Sequence, residues 1–165
     1  MTVVTPAPTR TGADDRHAPR AAPIVVAVEA SPASHAAAEE AAILAFDLEA
    51  PLVFIYARRG PPGFLGTPFY QRRLTRDLER ARRVLDQALR VAQLAGVEAE
   101  AEILEGSPRR RILDFARARG AQLVVVGSRR RRLGRSVSRA VARGADRPIV
   151  VASPRPSRLV IPRAA

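Results

Sequence analysis

The stretch "VVVGSRRRRLGRSVSRAV", Val124 to Val141, joins residue types that can hold a phosphate. A run of valines ends at Gly127 and Ser128, and Ser136, Val137 and Ser138 open a segment of helical character. A glycine lets backbone N–H groups approach phosphate oxygens, and a helix N-terminus adds free donors and a favourable dipole. Four arginines, Arg129 to Arg132, stand in the turn itself, and Arg135 follows Gly134. Guanidinium forks bind phosphate bidentately, so these arginines are either a rebuilt anion site or a solvated loop. A carboxylate, Glu29, closes the first apolar run, Ile24 to Val28; it either faces a ligand or caps the following helix.

Other chemistries are thinly supplied. The 165 residues contain no cysteine, which excludes disulfides, thiolate metal sites and cysteine nucleophiles. Two histidines, His17 and His35, are too few for a histidine-built metal site, and no acid or serine is fixed by sequence beside His35. Nothing supplies an activated nucleophile, and metal-assisted hydrolysis needs carboxylates near the phosphates, where only Glu29 qualifies. The chain therefore reads as a binding protein rather than an enzyme.

The formal charge of +12 suggests a phosphate-rich partner, but every basic residue is arginine and only 4% of residues are aromatic, so base-stacking side chains are scarce. No apolar run approaches the roughly 20 residues a membrane span needs. Residues 1–22 are rich in proline and scattered charge, without the apolar core of a secretory signal, and read as a disordered tail; residues 154–165 are similar in composition. One folded unit is expected over residues 23–153.

Within that unit strands and helices alternate. "IVVAV" and "PLVFIYA", Pro51 to Ala57, are continuous apolar runs of the kind buried parallel strands produce. Between them Ser31 and Pro32 supply a helix cap and first helical position, and alanines give a small-faced helix. "RRGPPGFLGTPFY" is a loop. From Gln71 to Ala95, Leu74, Leu78, Ala81, Leu85, Ala88, Ala92 and Ala95 form one stripe of a long amphipathic helix, with Glu79 and Arg83, and Asp86 and Arg90, at supporting i,i+4 spacing. Residues 97–104 alternate apolar side chains with Glu98, Glu100 and Glu102, predicting a strand near a sheet edge. Ser107 and Pro108 open a third helix that Gly120 closes, "AQLVVVGS" is a central strand, a short helix runs from about Ser136 to Arg143, and "RPIVVAS" is a fifth strand. This alternation predicts an α/β fold with a parallel sheet and helices on both faces, ligands lying beyond the carboxyl ends of the strands where the chain order reverses.

The segments "VVAVEASPAS", "EGSPRRRILDFARARGAQLVVVGS" and "SVSRAVARGADRPIVVAS", in this order and spacing, resemble the universal stress protein family of UspA type. The resemblance covers about residues 23 to 153. It implies a Rossmann-like (HUP-type) five-stranded parallel sheet of order 3-2-1-4-5 and a cytoplasmic protein, usually a homodimer through the last strand, here Pro148 to Ser153. Some members bind ATP through a glycine pattern, G-x-x-G, nine residues, then G followed by Ser or Thr. Here Gly127 matches the first glycine, Arg130 occupies the second, and the third falls on Arg135 with Gly134 one residue earlier. Four residues, 131 to 134, stand where the pattern has nine, and Glu29 stands where an acid, commonly Asp, lies near the adenine.

The candidate nucleotide site is thus Glu29, Gly127, Ser128, Arg129, Arg130, Gly134, Ser136, Val137 and Ser138, with ATP and magnesium, another anionic ligand, or no small ligand as its occupants. The bland readings are a helix cap for Glu29, a strand-to-helix turn for Gly127, and N-caps for Ser136 and Ser138. The leading function is a stress-linked regulatory or binding module. The alternatives are a binder of nucleic acid or anionic lipid, through the arginine run and Arg72, Arg73, Arg76, Arg80, Arg82, Arg83 and Arg90 of the long helix, or a ligand-free dimeric adaptor.

Overall fold

Alternate residues of each apolar run face opposite sides of one sheet, which is why the runs contain almost no polar residue. Ile24, Val26, Phe54, Val125 and Val150 are buried on one side; Val25, Val53, Ile55, Val124, Val126 and Ile149 are buried on the other. The computed structural model describes residues 2–3, 21–60, 68–128, 137–153 and 158–160. In chain order its elements are β1 (Thr2–Val3), β2 (Ile24–Ala27), α1 (Pro32–Asp47), β3 (Leu52–Arg58), α2 (Pro68–Leu94), β4 (Ala99–Glu105), α3 (Pro108–Ala118), β5 (Leu123–Gly127), α4 (Val137–Gly144), β6 (Ile149–Ala152) and β7 (Arg158–Val160).

The sheet order is β1-β4-β3-β2-β5-β6-β7. Its inner five strands are parallel and, numbered among themselves, run 3-2-1-4-5, the order that the family resemblance implies. Helices α1 and α2 cover one face and α3 and α4 the other, so α1, the helix after β2, and α4, the helix after β5, lie on opposite faces of the sheet. That divergence opens the crevice beyond the carboxyl ends of β2 and β5.

Several boundaries and contacts differ from expectation. Helix α2 starts at Pro68, within the stretch read as a loop, because proline suits a first helical position and Tyr70 is buried. Neither Glu79 and Arg83 nor Asp86 and Arg90 closes to an ion pair; exposed side chains gain little by holding one geometry. The glutamates of β4 are not simply wetted: Glu100 and Glu102 meet Arg119 at 2.9 and 3.4 Å. Two pieces of the flanks lie in the sheet, β1 antiparallel to β4 and β7 antiparallel to β6. The outer edge at Pro148 to Ser153, expected to pair with a second copy, is therefore occupied by this chain's own Arg158–Val160. An edge strand with free N–H and C=O groups pairs with whatever segment is nearest, and β7 is covalently tethered. Gly96 and Gly120, which end α2 and α3, sit at φ 70 and 59, a left-handed conformation that glycine adopts at no steric cost.

Candidate functional site

Ala27 pairs with Val126 across β2 and β5, and Glu29 and Ser128 each lie two residues beyond that pair. The fold thus brings Glu29 and Gly127, 98 positions apart in sequence, to adjacent strand ends.

On the β2 side the residues form a closed local network. Ser31 is the N-cap of α1, and its Oγ accepts from the Ser34 backbone N–H at 3.2 Å. Ser31 Oγ also donates to Glu29 Oε1 at 3.1 Å, and the Glu29 N–H donates to Ser34 Oγ at 2.7 Å. Ser34 is buried. These three residues share out the donors that a helix start leaves open. Glu29 is thus a partner of the helix cap, with one carboxylate oxygen already receiving a hydroxyl. The reading from sequence noticed Ser31 and missed Ser34, whose signal is its place three residues after a serine N-cap.

On the β5 side Gly127 has a packing reason of its own. A Cβ built on it would stand 2.5 Å from the Ala33 carbonyl oxygen and 2.9 Å from the Ser34 nitrogen, so the first turn of α1 rests directly on its backbone. The Ser128 N–H is committed to the Ala152 carbonyl at 2.7 Å, which extends the β5–β6 ladder past the strand end. Val137 and Ser138 open α4, Val137 exposed and Ser138 buried with partners of its own. Arg129, Arg130, Gly134 and Ser136, like the rest of the arginine run, lie outside the described residues. Among the described residues no group of three His, Cys, Asp or Glu is placed to hold a metal ion, and no helix is long and apolar enough to cross a membrane.

A cavity of about 670 Å³ adjoins Glu29. It runs down the groove between α1 and α2 rather than over Gly127, with Glu29, Ser31 and His35 on one wall and Val84, Gln87 and Val91 of α2 on the other. The sequence gives no sign of this extension, because the residues that build it come from two helices separated by a strand.

A buried cation also escaped the sequence reading. Arg58, at the end of β3, has a side chain only 9% exposed and meets Glu105 at 3.2 Å, while its Nε and Nη1 are buried without a hydrogen-bond partner.

Comparison with known proteins follows the same geometry. The sequence profile of the universal stress protein family matches residues 21–153. A universal stress protein of Thermus aquaticus, from the 3′ region of a QAH/OAS sulfhydrylase, is 39% identical over 79 residues. That match covers 47% of this chain and 56% of the relative, so it spans little more than half of the relative's length. Among solved structures, a universal stress protein from Archaeoglobus fulgidus superimposes with a TM-score of 0.67 at 26% identity, over 81% of this chain and 94% of the other. A universal stress protein of that organism in complex with dAMP gives 0.63 at 27% identity, over 79% and 96%. With five parallel strands in the expected order and a family profile spanning the folded unit, this chain belongs to the universal stress protein family.

Proposed function

We propose that this chain is a cytoplasmic, nucleotide-responsive binding module of the stress response, whose ligand lies at the carboxyl ends of β2 and β5. The observation that carries the reading is the juxtaposition of Glu29 with Gly127 and Ser128 at the end of β5, opening onto the groove beside α1. The complex of a 27% identical relative with dAMP supports an adenine nucleotide. Glu29 would face the nucleoside, and the N-terminus of α4 at Val137 and Ser138 would face the phosphates, since the Ser128 N–H is already taken. This phosphate end is degenerate: Arg130 and a short loop replace glycines, so guanidinium groups take over part of what backbone N–H groups do elsewhere. ATP with magnesium is the fuller form of the proposal; the ion would be held chiefly by the phosphates and water, as magnesium usually is beside nucleotides. The role is binding and signalling rather than turnover.

Calorimetric titration tests it with dAMP, magnesium-ATP and pyrophosphate at low and high salt. Saturable one-per-chain binding that prefers the nucleotides over pyrophosphate and survives salt is the expected result. Heat that pyrophosphate reproduces and salt abolishes would instead favour the second reading, a polyanion surface. The specific observation behind that second reading is α2, where Arg72, Arg73, Arg80, Arg83 and Arg90 make no ion pair.

A further inference from the structure

Arg58 is the one buried side chain among the described residues that the fold leaves incompletely paired. Its Nη2 meets Glu105 at 3.2 Å, while Nε and Nη1 are shut from water and have no acceptor. Glu105 itself is 60% exposed, so the cation is buried and its partner is not. Burying N–H donors without acceptors costs free energy that folding alone does not return. The chain around Arg58 is well tied, so these donors do not belong to a loose end. The Gly106 N–H donates to the Arg58 carbonyl at 2.8 Å, and Arg111 Nε donates to the Glu105 carbonyl at 2.6 Å. A Cβ on Gly60 would stand 2.7 Å from Glu105 Oε1, so the carboxylate lies directly against that backbone.

The sheet sets Arg58 beside the candidate nucleotide site. The order β3-β2-β5 puts Arg58, Glu29 and Gly127 in a row along the carboxyl edge, with Glu29 in the middle. Ala27 pairs with Ile55, and Glu29 lies two residues and Arg58 three residues beyond that pair. Side chains alternate along a strand, so Arg58 shares the face of Tyr56, which packs against the core under α1 and α2. The cavity next to Glu29 opens on the same face, and Arg58 stands beside it at the neighbouring strand end. With the phosphates toward α4 and the nucleoside at Glu29, the base is the part of the ligand directed to β3.

We propose that Arg58 reads this base and selects a 6-keto purine, guanine or hypoxanthine, over adenine. The inference rests on the nucleotide reading above and narrows its base. A guanidinium offers donors only. Guanine carries two acceptors, O6 and N7, on one edge, whereas adenine carries N7 beside the N6 amino donor. The amino group would set donor against donor, while a keto oxygen pairs a buried N–H that otherwise stays unsatisfied. A site whose buried polar groups are completed by one ligand rejects the analogue that leaves them unpaired.

Calorimetric titration of dGMP, dIMP and dAMP into the full-length protein and into Arg58→Met tests the proposal. The wild type is expected to bind dGMP and dIMP about tenfold more tightly than dAMP. Because dIMP lacks the 2-amino group, an equal gain for both traces the preference to the O6 and N7 edge. Arg58→Met should bind all three alike, by losing affinity for the keto purines only. Since Glu105 is mostly exposed, this substitution leaves no buried charge unpaired, and the thermal melt without ligand should be unchanged or raised. The wild-type comparison stands by itself should the variant fold poorly. A wild type that binds dAMP as tightly as dGMP overturns the inference and leaves the nucleotide reading in place, as does a keto preference that survives Arg58→Met. Equal weakening of all three nucleotides and of pyrophosphate in the variant overturns it in favour of a plain anion site. Absence of binding by any nucleotide overturns the nucleotide reading and this inference with it.

Discussion

The two helical layers use arginine in opposite ways. Beside α3 and α4 most guanidinium groups are committed: Arg110 and Arg117 to Asp114, Arg117 to Asp146, Arg119 to Glu100 and Glu102 with its guanidinium over the Phe115 ring. Arg147 donates to the Ala116 and Ala121 carbonyls at 2.9 and 2.7 Å, tying the end of α3 to the loop before β6. On α2 the arginines from Arg72 to Arg90 are exposed; Arg72, Arg73, Arg80, Arg83 and Arg90 make no ion pair, and Arg76 Nε donates to the Arg72 carbonyl of its own helix at 3.4 Å. One residue type thus staples one face of the sheet and stays available on the other. A charge of +12 consequently says little by itself; what matters is which arginines already have an acceptor.

The comparison extends to the cores. Helix α1 is lined with alanine, so it lies close enough for its first turn to touch Gly127, whereas α3 and α4 meet the sheet through Ile112 and Val141. The largest expected effect follows from that closeness. Gly127→Ala should lose about 1–3 kcal/mol in urea unfolding without any ligand present, the range for overpacking a tight contact. Unchanged stability would mean that the glycine is kept for the phosphate alone. Next comes Arg147→Met, which leaves the Ala121 carbonyl without this charged donor and should cost about 1–2 kcal/mol. Its counterpart on the other layer, Arg83→Ala, should stay within about 0.5 kcal/mol of wild type. Equal losses for the two arginines would erase the distinction between the layers.

How legible these features were depends on their range along the chain. Strand and helix placement could be read because continuous valine and isoleucine runs, a serine-proline helix start and terminal glycines are local signals, whereas the strand order came only from the family resemblance. The importance of Gly127 was legible, but its cause was not, since the Ala33 carbonyl that forbids a Cβ is 94 positions away. Ser34 and Arg58 went unseen for the same reason: an isolated serine in an alanine helix, or an arginine ending a strand, shows its partner only when Glu29 or Glu105 is folded against it. The covered edge of β6 was hidden because three residues of ordinary composition, Arg158–Val160, pair there.

A smaller effect belongs to the α1 cap. Ser31→Ala removes the acceptor for the Ser34 N–H and the hydroxyl donor to Glu29, and should cost about 1 kcal/mol. If Glu29 serves the nucleotide as well as the cap, this variant should also weaken dAMP binding in the same calorimetric experiment, because the carboxylate loses the hydroxyl that orients it. A loss of stability with unchanged affinity would leave Glu29 as a capping residue only.

The smallest expected effect probes the charge lattice of the α3–α4 layer through pH. The Arg147 side chain hydrogen-bonded to Asp146 holds its carboxyl well below the usual carboxylate range; partial burial opposes this and a second hydrogen bond from Arg117 adds to it. A carboxyl depressed in the folded state favours folding while it is ionised. Its contribution is therefore present above the unfolded value of about 3.9 and fades as pH falls below it. Asp146 is nearly half exposed, so the contribution is modest and weakens with salt. Melting curves of wild type and Asp146→Asn should differ at neutral pH and converge as pH is lowered through about 4 to 2. Convergence assigns the acid sensitivity of this face to its arginine staples. A difference that persists at low pH would mean that Asp146 acts by packing, and that the α3–α4 arginines are as loosely held as those on α2.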